Sequence, residues 1–140
     1  MDTPLYVAVI SASASILVAV VTFYLTKKKE REGEWRQQKI EHYRELLESL
    51  NDIVEGPLEI TPEHHRRWAK SCNTIGLVAP QNVLEALWSY QEATSRSNEK
   101  RKPEDHDKYL NGLILEIRKD LGMRPVDNPE RFRFRLWVSG

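Results

Sequence analysis

Between Thr3 and Thr26 the chain carries no charged side chain. In a helix rising about 1.5 Å per residue, such a run spans roughly 35 Å. That exceeds the bilayer hydrocarbon, about 30 Å thick, and leaves room for tilt. A single Lys or Asp at the bilayer centre costs about 2.5–3.5 kcal/mol, so a charge-free run of this length is itself a signal. The low mean hydropathy of the whole chain conceals this division: nearly all the charge lies after residue 26.

The flanks set the expected orientation. Only Asp2 and the amino terminus are charged before the run, whereas Lys27, Lys28, Lys29 and Arg31 follow it, with Arg36 and Lys39 close behind. The positive-inside rule then places the N-terminus outside and the remainder in the cytosol, in the cell's inner membrane. Lys27, Lys28, Lys29 and Arg31 are the expected lipid-headgroup contacts, each worth about 1 kcal/mol near anionic lipid. Tyr6, Phe23 and Tyr24 fall near the two interfaces. A cleaved signal peptide fits poorly, because such peptides place positive charge before a shorter apolar stretch.

Within the run, Ala8, Ala12, Ser15, Ala19 and Thr22 recur at spacings of four and three, which puts them on one helix stripe. Small residues let helix backbones approach, so this stripe is the expected self-association face of a homo-oligomer. A ring of such helices with Ser11, Ser13 and Ser15 turned inward would line a pore, an alternative reading.

The expected fold class is all-α: one N-terminal transmembrane helix, then a small antiparallel helical bundle, with a possible short C-terminal strand. Residues 1–33 form the anchor and basic segment, 34–122 the bundle and 123–140 an extended tail. From Glu34 to Glu55 the residues Trp35, Ile40, Tyr43, Leu46, Leu47, Leu50, Ile53 and Val54 share one face, and Gly56-Pro57 ends the helix. Thr61-Pro62-Glu63 starts a second helix with Trp68, Cys72 and Ile75 inward. Pro80 starts a third, with Val83, Leu84, Leu87, Trp88 and Gln91 on one side. Residues 94–102 read as a solvated loop. Pro103 starts a fourth helix with Tyr109, Leu110, Leu113, Ile114, Ile117 and Leu121 inward and Gly122 at its C′ position. In the tail, Phe132, Phe134, Leu136 and Val138 alternate with Arg131, Arg133 and Arg135, a period of two that favours extended structure. Asn128-Pro129-Glu130 argues instead for a helix start. A lone strand is unstable, so the tail must pack on the bundle, pair with a second copy or dock on another protein.

Charge is unevenly spread: about +3 over residues 27–39, −4 over 40–122 and +2 in the tail. Arg131, Arg133 and Arg135 are the expected partner contacts, since guanidinium groups bind phosphate and carboxylate bidentately. Without a wider basic field, a cytosolic protein partner ranks above nucleic acid or a nucleotide messenger. The single Cys72 reads as a small core residue. His64 and His65 are adjacent rather than three or four apart, so no metal site is expected, and no motif implies a cofactor.

Two spacings carry candidate chemistry, Arg36 with His42 and Arg101 with His106. An Arg and a His brought together can hold a phosphate and move a proton. The Arg101–His106 spacing resembles the short R-x4-H motif of the HEPN ribonucleases, also small helical bundles, and that resemblance implies a degenerate ribonuclease. The layout as a whole, with the Trp35…Tyr43…Glu45-Leu46-Leu47 helix and the Ile117–Gly122 helix end, resembles that of small bacterial single-pass membrane proteins. Some of these accompany CRISPR and other antiviral systems as oligomeric membrane effectors. The expected function is therefore a membrane-anchored, self-associating scaffold or effector rather than an enzyme, with the pore-former and the ribonuclease as alternatives.

Overall fold

In the computed structural model, residues 2–54 and 60–137 are described. The protein is all-helical: α1 (Asp2–Val54), α2 (Pro62–Ile75), α3 (Gln81–Thr94) and α4 (Pro103–Asp120). The chain divides into two compact units, residues 1–37 and 38–140. The first unit is helical from Asp2 and holds one stretch long and apolar enough to cross a membrane. Gly33 is accommodated within the helix, with open space around its Cα.

The second unit is the helical bundle. Its helix ends follow local chemistry. Thr61 precedes α2 in an extended conformation, and its N–H donates to Nδ1 of His64 at 3.1 Å, so His64 does the work of the acid in a capping box. Gly122 adopts φ +66° after α4, Gly122 N–H donates to the Lys119 carbonyl and Met123 N–H to the Arg118 carbonyl. These two bonds form a Schellman cap, for which a left-handed residue is required. Gly56-Pro57 and Glu55 lie outside the described residues.

Helices α3 and α4 run antiparallel. Asn82 at the start of α3 bonds Glu116 late in α4, and Tyr90 late in α3 meets His106 at the start of α4. The end of α1 is also antiparallel to α4, with Lys39 and Tyr43 on Asp120 and Leu50 packed with Leu110. One core cluster gathers Tyr43, Leu46, Ile75, Val78, Val83, Leu87, Leu113 and Ile117, and a smaller one gathers Leu50, Tyr90 and Leu110. Two serines are buried among them, and each returns its hydroxyl to a backbone carbonyl: Ser49 to Leu46 and Ser71 to Arg67, both at 2.9 Å. That removes the cost of burying an unpaired hydroxyl.

Several expected positions shift. Trp88 is 55% exposed, because α3 turns Val83, Leu87 and Tyr90 inward and leaves the next residue around the helix outside. Trp35 belongs to the first unit and is not part of the bundle core. In the tail no strand forms among the described residues. Asn128 instead starts a single turn, its carbonyl accepting from Arg131 and Phe132 N–H. Beyond it the period-two pattern persists in irregular backbone: Phe132, Phe134 and Leu136 are half-buried while Arg131, Arg133 and Arg135 are exposed. Phe134 and Leu136 pack on the smaller core cluster, so the bundle supplies the support that a ladder would have given. Val138 lies outside the described residues.

Candidate functional site

Three features carry the functional argument. The first is the apolar stretch of α1. Thirteen large hydrophobic side chains from Leu5 to Leu25 are each more than half exposed. Ala8, Ala12, Ser15, Ala19 and Thr22 lie within about 80° of arc on this helix. Ser15 donates its hydroxyl hydrogen to the Ser11 carbonyl and Ser13 to the Val9 carbonyl, both at 2.9 Å, so neither hydroxyl proton needs an external acceptor. Ser13 falls on the opposite side of the helix from Ser11 and Ser15, so the three hydroxyls do not face one lumen. After the stretch, Lys27 pairs with Glu30 at 3.2 Å and lies over the Phe23 ring, whereas Lys28, Lys29 and Arg31 make no ion pair among the described residues.

The second feature is a cleft of about 740 Å³ in the bundle, bordered by the ends of α1 and α3, by α2 and by the start of α4. It brings Arg101 and His106 together, along with Arg96 and His65. Arg36 and His42 are not part of it. His42 sits beside Tyr43, which bonds Asp120 at the far end of α4, about 20 Å along that helix from His106. The two Arg–His spacings therefore do not assemble into one centre within a chain. His106 Nδ1 lies 3.3 Å from Asp107, its ring meets Tyr90 edge to face at 5.4 Å, and its Nε2 is buried with no hydrogen-bond partner. Burial raises the Tyr90 hydroxyl well above its ordinary pKa.

The third is the tail. Arg118 at the end of α4 donates two bonds to Asp127, at 2.7 and 3.0 Å, and stacks over Phe132 at 5.3 Å. Phe134 N–H donates to Asn111 Oδ1 at 2.6 Å. These bonds hold the tail along α4 with its three arginines outward. The alternation in the sequence located the arginines but not Asn111 or Arg118, which no local pattern marks as tail anchors.

Elsewhere, Arg67 of α2 gathers Glu45, Glu48 and Asp52 of α1, a structural tie rather than a site. Cys72 packs against the core, and burial pushes its thiol up to about 11, far from a nucleophile's range. Among the described residues no group of three or more His, Cys, Asp or Glu is arranged to hold a metal ion. No protein-family model matches this chain, and comparison with curated proteins and with solved structures returns no match.

Proposed function

We propose that this protein is a single-pass membrane protein whose helical bundle works in the cytosol as a self-associating scaffold or effector. The observation that carries the reading is the exposed apolar surface of α1: thirteen large side chains over half open to solvent. At about 1.5–3 kcal/mol for each side chain removed from water, covering them is worth on the order of 20 kcal/mol or more. A surface of that extent calls for lipid or a partner. Lipid is the simpler cover, because the stretch is charge-free, the hydroxyls of Ser13 and Ser15 are internally bonded, and Lys28, Lys29 and Arg31 stand ready for phosphate headgroups on the cytosolic side. The small-residue stripe is the proposed contact between copies, and Arg131, Arg133 and Arg135 the proposed contact for a protein partner.

The test begins with the full-length protein in its membrane. The anchor reading expects retention in the membrane fraction through alkaline washing, and release into the supernatant overturns it. A cysteine placed at Ser97 should react with an impermeant maleimide only after the membrane is opened. Labelling of intact cells would reverse the orientation. For self-association, the mass of the detergent-extracted protein is compared with that of an Ala12→Leu, Ser15→Leu, Ala19→Leu variant. A defined oligomer reduced to monomer supports the stripe, and equal masses eliminate it.

A further inference from the structure

The cleft in the bundle has a composition that the membrane reading does not use. Among the described residues bordering it are two arginines and two histidines and no aspartate or glutamate, although the Asp107 carboxylate stands beside His106, 3.3 Å from its Nδ1. This is notable in a chain with equal numbers of acidic and basic residues. Arg96 and Arg101 are exposed and make no ion pair among the described residues. Two unpaired guanidinium groups beside one cleft make a local positive field in which an anion is favoured.

The loop that carries them is built, not loose. Asn98 organises it: its side chain donates to the Ala93 carbonyl at 3.2 Å and accepts from Lys100 N–H at 3.1 Å. Ser95 closes it from the other side, its carbonyl accepting from Asn98 N–H and its Oγ from Ser97 N–H. Arg101 N–H in turn donates to the Asn98 carbonyl. The loop backbone that carries the two arginines, five residues apart, is thereby ordered, which lowers the backbone entropy lost when both close on one ligand.

The floor of the cleft is apolar and aromatic: Leu50, Ile53, Trp68 and Tyr90. A free inorganic anion has no use for such a floor, and a neutral apolar ligand has no use for the arginines. A volume of about 740 Å³ suits a ligand of nucleotide size. His106 adds an independent sign, because its buried Nε2 lacks a partner. A buried polar nitrogen left unsatisfied is costly; with Nδ1–H donating to the Asp107 carboxylate, Nε2 is an acceptor, and a hydroxyl or amino donor on a ligand would satisfy it.

We propose that this cleft binds a nucleoside phosphate, with the phosphate on Arg96 and Arg101 and the base on the apolar floor beside Trp68. The proposal concerns the bundle alone and holds whether or not the anchor self-associates. It is tested on the full-length protein in detergent by equilibrium dialysis against labelled nucleoside mono-, di- and triphosphates, with inorganic phosphate, adenosine and palmitate as comparison ligands. The expected result is saturable binding of at least one nucleotide, with phosphate and adenosine each weaker. Arg96→Gln and Arg101→Gln should each lower affinity about tenfold or more, since each removes charge-assisted bonds. Both arginines are exposed and unpaired, and unchanged thermal unfolding of these variants checks that the fold survives. Lys119→Gln, at the other end of α4, should bind like the native protein. Absence of saturable nucleotide binding up to about 10 mM overturns the proposal. So does binding that survives both arginine substitutions, or a preference for palmitate, which would make the cleft a lipid pocket.

Discussion

Lys39 and Asp120, eighty-one positions apart, meet with the lysine Nζ 3.0 and 3.1 Å from the two carboxylate oxygens. Tyr43, one helical turn along α1, donates its hydroxyl to the same carboxylate at 2.6 Å. Asp120 ends α4, where the helix dipole disfavours negative charge, and these two partners offset that cost. Burial, then the bond to Asp120, drives the Tyr43 hydroxyl far above its ordinary pKa, so it stays a donor at any working pH. Removing Asp120 should therefore hurt more than removing one donor. Asp120→Ala is expected to cost about 2–4 kcal/mol and Tyr43→Phe about 1–2 kcal/mol. Chemical denaturation of the full-length protein in micelles measures both, and equal small losses would make the cluster incidental.

The tie between α2 and α1 should depend on pH and salt. Arg67 bonds Glu45 at 2.7 and 3.0 Å and holds its carboxyl below the usual glutamate range, with Glu48 and Asp52 also engaged. A lowered carboxyl pKa contributes stability above the ordinary value and loses it as pH falls through the lowered one. Arg67→Met should cost at most about 1 kcal/mol at neutral pH, because these groups are well exposed. The gap between the two proteins should shrink by about pH 3 and in about 1 M salt. A gap independent of both would mean that packing, not charge, sets it.

Cys72 should be nearly inert in the native protein. With burial raising its pKa from 9.0 to about 11, the thiolate fraction at mildly alkaline pH drops about a hundredfold relative to an ordinary thiol. Alkylation by iodoacetamide should be slower by at least that factor than in the denatured chain. Comparable rates would show that α2 opens readily around this residue.

Gly122 should resist replacement through backbone conformation alone. A Cβ built there meets nothing within 4 Å, but the φ of +66° strains any L-residue. Gly122→Ala is expected to cost about 1 kcal/mol and Gly122→Asn less, read from thermal unfolding. No difference between the two would argue that the Schellman cap is dispensable.

The tail should loosen without disturbing the bundle. Asn111→Ala removes the acceptor for Phe134 N–H, worth about 1 kcal/mol, and Phe134→Ala removes the packing beneath it. Trypsin cleavage at Arg131, Arg133 and Arg135 should quicken in both variants while cleavage within α3 and α4 stays unchanged. Unaltered cleavage in the tail would mean that Arg118 and Asp127 suffice to hold it.

The sequence by itself determined what depends on local chemistry. The charge-free run over residues 3–26, the Thr61-Pro62 helix start, the four helices and the Gly122 cap all rest on groups within a few residues of one another. Helical periodicity likewise picked out Ile75, Val83, Leu87, Leu110 and Leu113 as core, although it also included Trp88, which only the choice of packing face could exclude. The tertiary structure decided the rest. Tyr43 and Lys39 find Asp120, Asn111 finds the Phe134 amide, and Arg96, Arg101 and His106 come to border one cleft with His65 and Trp68. A spacing such as R-x4-H says which two side chains are near each other in the chain. Which residues from other helices complete their surroundings depends on how four helices pack, and that is a property of the whole bundle's buried surface rather than of any segment.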